Sequence, residues 1–195
     1  MERDKIRYQL LNYEKNKKML AMVPHIPYLD LAIVFYSILE EKEGSPYGIV
    51  TWNGMKKLKL GLEELEVLAA ENTARDMPCQ LEALEKMLER ITGHPAPENV
   101  GGVPMYVLTN QQHIFGASCI LYPNLLYSIS EYFQTDLYIL PSSIHECILI
   151  PEGPDVSRKK LADIVADINS TEVPEEEVLS NRVYVYKQEG DVIYF

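Results

Sequence analysis

The chain has 195 residues, 47% of them hydrophobic and 24% charged, which is enough to bury the core of one domain without disulfide or metal staples. Its 18 Lys and Arg stand against 29 Asp and Glu, and the net charge of −11 argues against a phosphate-neutralising nucleic-acid surface and against an anionic membrane surface. Three scattered cysteines (Cys79, Cys119 and Cys147) form no C-x-x-C pair, no apolar signal segment opens the chain, and the apolar stretch 31–39 is too short for a bilayer, so a reduced, cytoplasmic protein is expected.

In chain order, Ile6, Leu10 and Tyr13 fall on one face at helical spacing, so residues 3–20, and the segment 1–22 around them, read as an N-terminal helix. Pro24 and Pro27 interrupt it, and the β-branched and aromatic run 30–39 reads as a buried strand. A turn at Gly44-Ser45-Pro46 leads to a strand near 47–52, followed by a helix over 62–74 with Leu62, Leu65 and Ala69 in register. After Pro78, the series Leu81, Leu84, Leu88 and Ile91 predicts another helix.

The segment 93–104 holds three Pro and three Gly in twelve residues; it reads as a long loop in preference to a linker between domains. Strands are expected at 104–109 and 116–121, a helix at 123–134, and strands at 136–140 and 144–150. Asp155 and Ser157 are candidate caps for a helix reaching Asn169, a short helix is expected at 174–180, and Glu189-Gly190 turns a terminal hairpin. Hairpins alternating with helices define the expected fold: one α+β domain over 1–195, with a mixed or mainly antiparallel sheet of six to eight strands. No Gly-rich phosphate-binding motif occurs, so no nucleotide cofactor is expected.

Chemistry-bearing residue types crowd at Ser142, Ser143, His145, Glu146 and Cys147, within the run 136–151. On an extended strand Ser143, His145 and Cys147 share a face, yet alternate side chains stand roughly 6–7 Å apart, so a direct nucleophile–base hydrogen bond does not follow from the spacing alone. Nothing like G-x-S-x-G surrounds either serine. Metal binding would need His25, His113 or Cys119 to converge on His145 and Cys147, without the usual ligand spacings. The plainer reading is a structural turn at Pro141-Ser142-Ser143. Glu146 then shares a face with Ile144, Ile148 and Ile150 and requires either a partner, among the neighbours of His145 or an arginine such as Arg75 or Arg182, or exposure at the end of the sheet. A paired structural carboxylate is the first reading and a ligand-contacting one the second. The polar loop Asn110, Gln111, Gln112 and His113 is the candidate flank of any binding site, and Glu175-Glu176-Glu177 reads as a solvated helix start.

The stretches LLNYEKN (10–16), VPHIPYLDLAIVFY (23–36), EELEVLAAENTARDMP (63–78), PMYVLTN (104–110), FGASCILYPNLL (115–126), DLYILPSSIHECILIP (136–151) and TEVPEEEVLSNRVYVY (171–186) resemble one bacterial family, domain of unknown function 5688. LPSSIHE is the most specific element, and the resemblance implies the C-terminal part of longer members from Gram-positive anaerobes. That family carries no assigned activity, so the resemblance transfers no catalytic residue. The expectation is a non-catalytic cytoplasmic binding or protein-interaction module, with no cofactor and no metal. Its rivals are a hydrolase using Ser143, His145 and Glu146, and a metal-binding regulatory protein.

Overall fold

The computed structural model of the chain describes residues 2–39, 46–95, 103–154, 156–171 and 173–195. The expected turn residues Gly44 and Ser45, most of the 93–104 loop and the candidate cap Asp155 lie outside the described residues. Contacts divide the chain into two compact units, Met1–Pro78 and Cys79–Phe195, each with its own antiparallel sheet. The fold is α+β, and no helix among the described residues is long and apolar enough to cross a membrane.

The first unit contains β1 (Ile6–Asn12), α1 (Tyr13–Leu20), β2 (His25–Tyr28), β3 (Leu31–Ile38), β4 (Tyr47–Ile49), α2 (Trp52–Leu58) and α3 (Leu62–Asp76). Residues 6–12 are a strand, which corrects the expected N-terminal helix. Ile6 and Leu10 fit a period of two as well as one of 3.6, and Tyr8 between them is also buried, so both readings are open until β3 supplies a partner. Pairing with β3 from Ile6↔Ser37 to Asn12↔Leu31 decides for the strand. The helix begins only at Tyr13, where the Asn12 side chain accepts the Lys15 N–H at 2.8 Å as an N-cap.

Helix α3 supplies hydrogen-bond partners to the edge of β1. Thr73 Oγ1 accepts the Tyr8 N–H at 3.2 Å, and Asn72 Nδ2 donates to the Ile6 carbonyl at 3.0 Å. Leu65, Ala69, Asn72 and Thr73 form the buried face of this helix. An otherwise unpaired strand edge is thereby satisfied by side chains.

The second unit contains β5 (Cys79–Ala83), α4 (Leu84–Thr92), β6 (Tyr106–Asn110), a 3-10 helix (Gly116–Leu121), α5 (Leu125–Phe133), β7 (Leu137–Leu140), β8 (Cys147–Pro151), α6 (Arg158–Thr171), β9 (Tyr184–Lys187) and β10 (Val192–Tyr194). Its six strands run in the order β10-β9-β7-β8-β6-β5. Leu81 belongs to β5, where it pairs with Leu108, so the helix expected from Leu81 starts at Leu84. The expected strand at 116–121 is a 3-10 turn buried from Gly116 to Ile120, and 174–180 is a turn closed by a Ser143↔Val178 bridge instead of a helix.

One face of this sheet presents Tyr138, Leu140, Ile150, Val183 and Val185 to Leu161 and Val165 of α6. Burying each aliphatic side chain contributes on the order of 1.5–3 kcal/mol relative to exposure. The alternate residues Leu137, Ile139 and Leu149, all fully buried, point to the opposite face. There the Tyr106 ring meets Phe133 of α5 with centroids 4.6 Å apart.

Candidate functional site

At one end of the six-stranded sheet the structure brings the two sequence-predicted clusters together, and adds a third segment to them. Asn110, fully buried at the end of β6, shapes the loop that follows. Its Oδ1 accepts the N–H groups of Gln112 at 3.0 Å and Ile114 at 3.3 Å, while its Nδ2 donates to the Ile114 carbonyl at 2.7 Å. Gln111, Gln112 and His113 are left exposed at the tip. The segment 141–146 is then stitched on both sides. Ala117 N–H donates to the Ile144 carbonyl at 3.3 Å, and Ile144 N–H donates to the Glu177 carbonyl at 2.9 Å. Leu179 N–H and Ser180 N–H reach the carbonyls of Ser142 and Pro141 at 3.1 and 3.0 Å.

His145 is the centre of this clasp. Phe115 N–H donates to its Nδ1 at 3.2 Å, and the Phe115 ring stacks on the imidazole with centroids 5.8 Å apart and planes 10° from parallel. Because Nδ1 accepts, the neutral ring carries its proton on Nε2. That nitrogen lies 3.6 Å from Glu177 Oε1, an electrostatic contact longer than a hydrogen bond. In this tautomer neither ring nitrogen offers a free lone pair, which a general base requires. Ser143 Oγ accepts the His145 backbone N–H at 3.0 Å, an engagement local to the turn.

The strand begins at Cys147, so the alternation expected from residue 143 onward does not apply to Ser143, His145 or Glu146. Cys147 is fully buried with its Sγ 3.8 Å from the Ala117 carbonyl, and burial pushes its thiol well above the ordinary range. Cys119 donates to the Thr109 carbonyl at 3.2 Å, and burial pushes its thiol up to about 12. Neither is a thiolate nucleophile near neutrality. Ser142 is likewise buried, its carbonyl taken by Leu179. Among the described residues no group of three or more His, Cys, Asp or Glu side chains is placed to hold a metal ion; His25 sits in β2 with its Nδ1 3.1 Å from the Val23 carbonyl.

Glu146 is half-buried and accepts no hydrogen bond among the described residues, and neither Arg75 nor Arg182 is its partner. Burial pushes its carboxyl above the ordinary value, while the nearby His145 and His113 pull in the opposite direction. The folded state therefore holds this proton more tightly than the unfolded chain. Its contribution to stability grows as pH falls through the raised pKa, and the ionised form is a cost at neutral pH. Glu146→Gln is expected to stabilise the protein by up to about 1 kcal/mol at pH 7.5 and to flatten the gain seen on moving toward pH 5. Urea midpoints of both proteins at the two pH values check this, and a destabilised Gln variant would contradict it.

A second site lies in the first unit, where the sequence directed no attention. Leu60, Val67 and Leu68, with Arg3, Glu63, Glu64 and Glu71, line an open cavity of about 400 Å3 along the outer side of α3. Val67 is 58% exposed, although a surface helix ordinarily keeps one apolar stripe and α3 already buries Leu65 and Ala69. Val67 lies off the register that Leu62, Leu65 and Ala69 define, while Leu68, three residues after Leu65, stands at its edge; the Val67 offset is the signal available in the sequence.

The fold is α+β, and the two sites it presents are the clasp around His145 and the open cavity along α3. The chain belongs to a family of unknown function, DUF5688, whose sequence model matches residues 2–188. No curated protein and no solved structure matches it.

Proposed function

We propose that this chain is a non-catalytic cytoplasmic module that binds another protein. The observation that carries the reading is the outward apolar stripe of α3, an open groove rimmed by charged side chains on a helix whose opposite face is already buried. Grooves of this kind, with an apolar floor and polar rim, are a recurring mode of peptide recognition. The state of the clasp supports the same reading, because the His145 lone pair is taken by a backbone N–H and the Ser143 oxygen by its own turn. Three free thiols suit a reducing compartment, and the charge of −11 disfavours nucleic acid as the partner.

The rival hydrolase reading is tested by reactivity. The native protein is treated with a fluorophosphonate probe and with iodoacetamide, then mapped by mass spectrometry. The expected result is no adduct on Ser143 and none on Cys147, with half-buried Cys79 alkylated first. A fluorophosphonate adduct on Ser143 that disappears in His145→Phe would overturn the non-catalytic reading.

A further inference from the structure

We propose that the α3 groove receives an amphipathic helix carrying Lys or Arg beside its apolar stripe. The inference rests on the protein-binding reading and adds the chemistry of the partner. Three carboxylates, Glu63, Glu64 and Glu71, line the groove against one guanidinium, that of Arg3. The Arg3 guanidinium is held at the groove, its Nη2 donating to the Leu58 carbonyl at 2.7 Å. Glu64 spends one oxygen on the Gly61 N–H at 2.7 Å, which caps α3, and keeps the other for the groove. The local sign is therefore negative, as is that of the whole chain at −11, so a cationic partner is steered in and a like-charged one repelled.

The geometry is that of a helix seat. Leu60 lies just before α3, and Glu63, Glu64, Val67, Leu68 and Glu71 follow at intervals of three and four, so they occupy one side of it. From Leu60 to Glu71 the seat runs roughly 16 Å at 1.5 Å per residue, the length of about three turns of a partner helix. Such a partner would set apolar residues at i, i+3 or i+4, and i+7 over Val67 and Leu68, with basic residues reaching the carboxylates on either side. An acidic or purely apolar helix would leave these carboxylates unmatched.

The test titrates the 15N-labelled full chain with two synthetic 18-residue helical peptides that share one leucine stripe. One carries lysine on its flanks and the other glutamate. The lysine peptide is expected to shift the amides of residues 60–72 and to weaken as salt rises, while the glutamate peptide leaves them unmoved. Val67→Asp, on the exposed side of α3, is expected to weaken the lysine peptide at least tenfold. Glu63→Lys with Glu71→Lys is expected to reverse the preference between the peptides. Shifts scattered over the acidic surface, equal binding of both peptides, or indifference to these substitutions would overturn the proposal. Silent α3 amides together with an unreactive Ser143 remove the groove alone, whereas a reactive Ser143 removes the protein-binding reading beneath it.

Discussion

Gly116→Ala is expected to destabilise the second unit by about 3 kcal/mol or more, as overpacking at a site with no room to yield. A Cβ built on Gly116 would stand 2.2 Å from Thr109 Oγ1, 2.5 Å from the His145 carbonyl oxygen and 2.8 Å from the Asn110 nitrogen. The first neighbour is a side chain, but the other two are backbone and belong to the segments that the clasp ties together. Thr109 is itself fixed, donating from its hydroxyl to the His145 carbonyl at 2.8 Å. The glycine is therefore required by close approach, since no residue with a side chain lets 110, 116 and 145 meet. Truncating Thr109 to Ala beside Gly116→Ala is expected to give little rescue, because the two backbone contacts remain. Gly153→Ala is the control: its Cβ would meet only Val156 Cγ2, at 3.8 Å, and the change should stay within about 0.5 kcal/mol. Urea unfolding followed by circular dichroism compares the three variants, and a Gly116→Ala protein as stable as the control would refute the clasp as drawn.

This glycine also shows why the sequence was only partly readable. GASCIL (116–121) has the composition of a strand, yet its first residue is pressed against β6 and the His145 carbonyl, and the chain turns as a 3-10 helix with Phe115 in the left-handed region before it. Only tertiary contact produces that turn. The run 31–38 was legible because a β-branched and aromatic segment buried on both faces has no helical alternative of that length. Residues 6–12 were not, since Ile6, Leu10 and Tyr13 satisfy a helical stripe until β3 arrives as partner. Of the candidate cluster, the strand parity expected from 144 onward fails, because β8 starts at Cys147. The contact that defines the clasp, Glu177 beside His145, joins segments distant in sequence, and a run of three glutamates reads locally as a solvated helix start.

Asp76→Ala is expected to cost the first unit about 3 kcal/mol, because it strands a buried guanidinium. The Arg7 side chain is 5% exposed on a strand of the sheet, where it donates from Nη1 to the carbonyls of Ile6 and Asp4 and from Nη2 to Asp76. Its Nε has no partner among the described residues, so the Asp76 carboxylate is the charge that compensates it. Arg75 holds the same carboxylate from solvent at 2.7 and 2.8 Å. The Arg75 hydrogen bonds first, and then the Arg7 charge, keep the Asp76 carboxyl below its ordinary range. For a carboxyl depressed in the folded state, the stabilisation is complete above the unfolded pKa and is lost as pH falls through the folded one. Acid should therefore destabilise wild type more steeply than Asp76→Ala below about pH 4, the unperturbed carboxyl range. Trp52, the single tryptophan, lies in α2 of the same unit and reports its unfolding by fluorescence. Arg7→Met combined with Asp76→Ala should recover most of the loss, since removing both charges leaves nothing buried and unpaired. If the double variant is no more stable than Asp76→Ala alone, Arg7 is not the group that Asp76 serves.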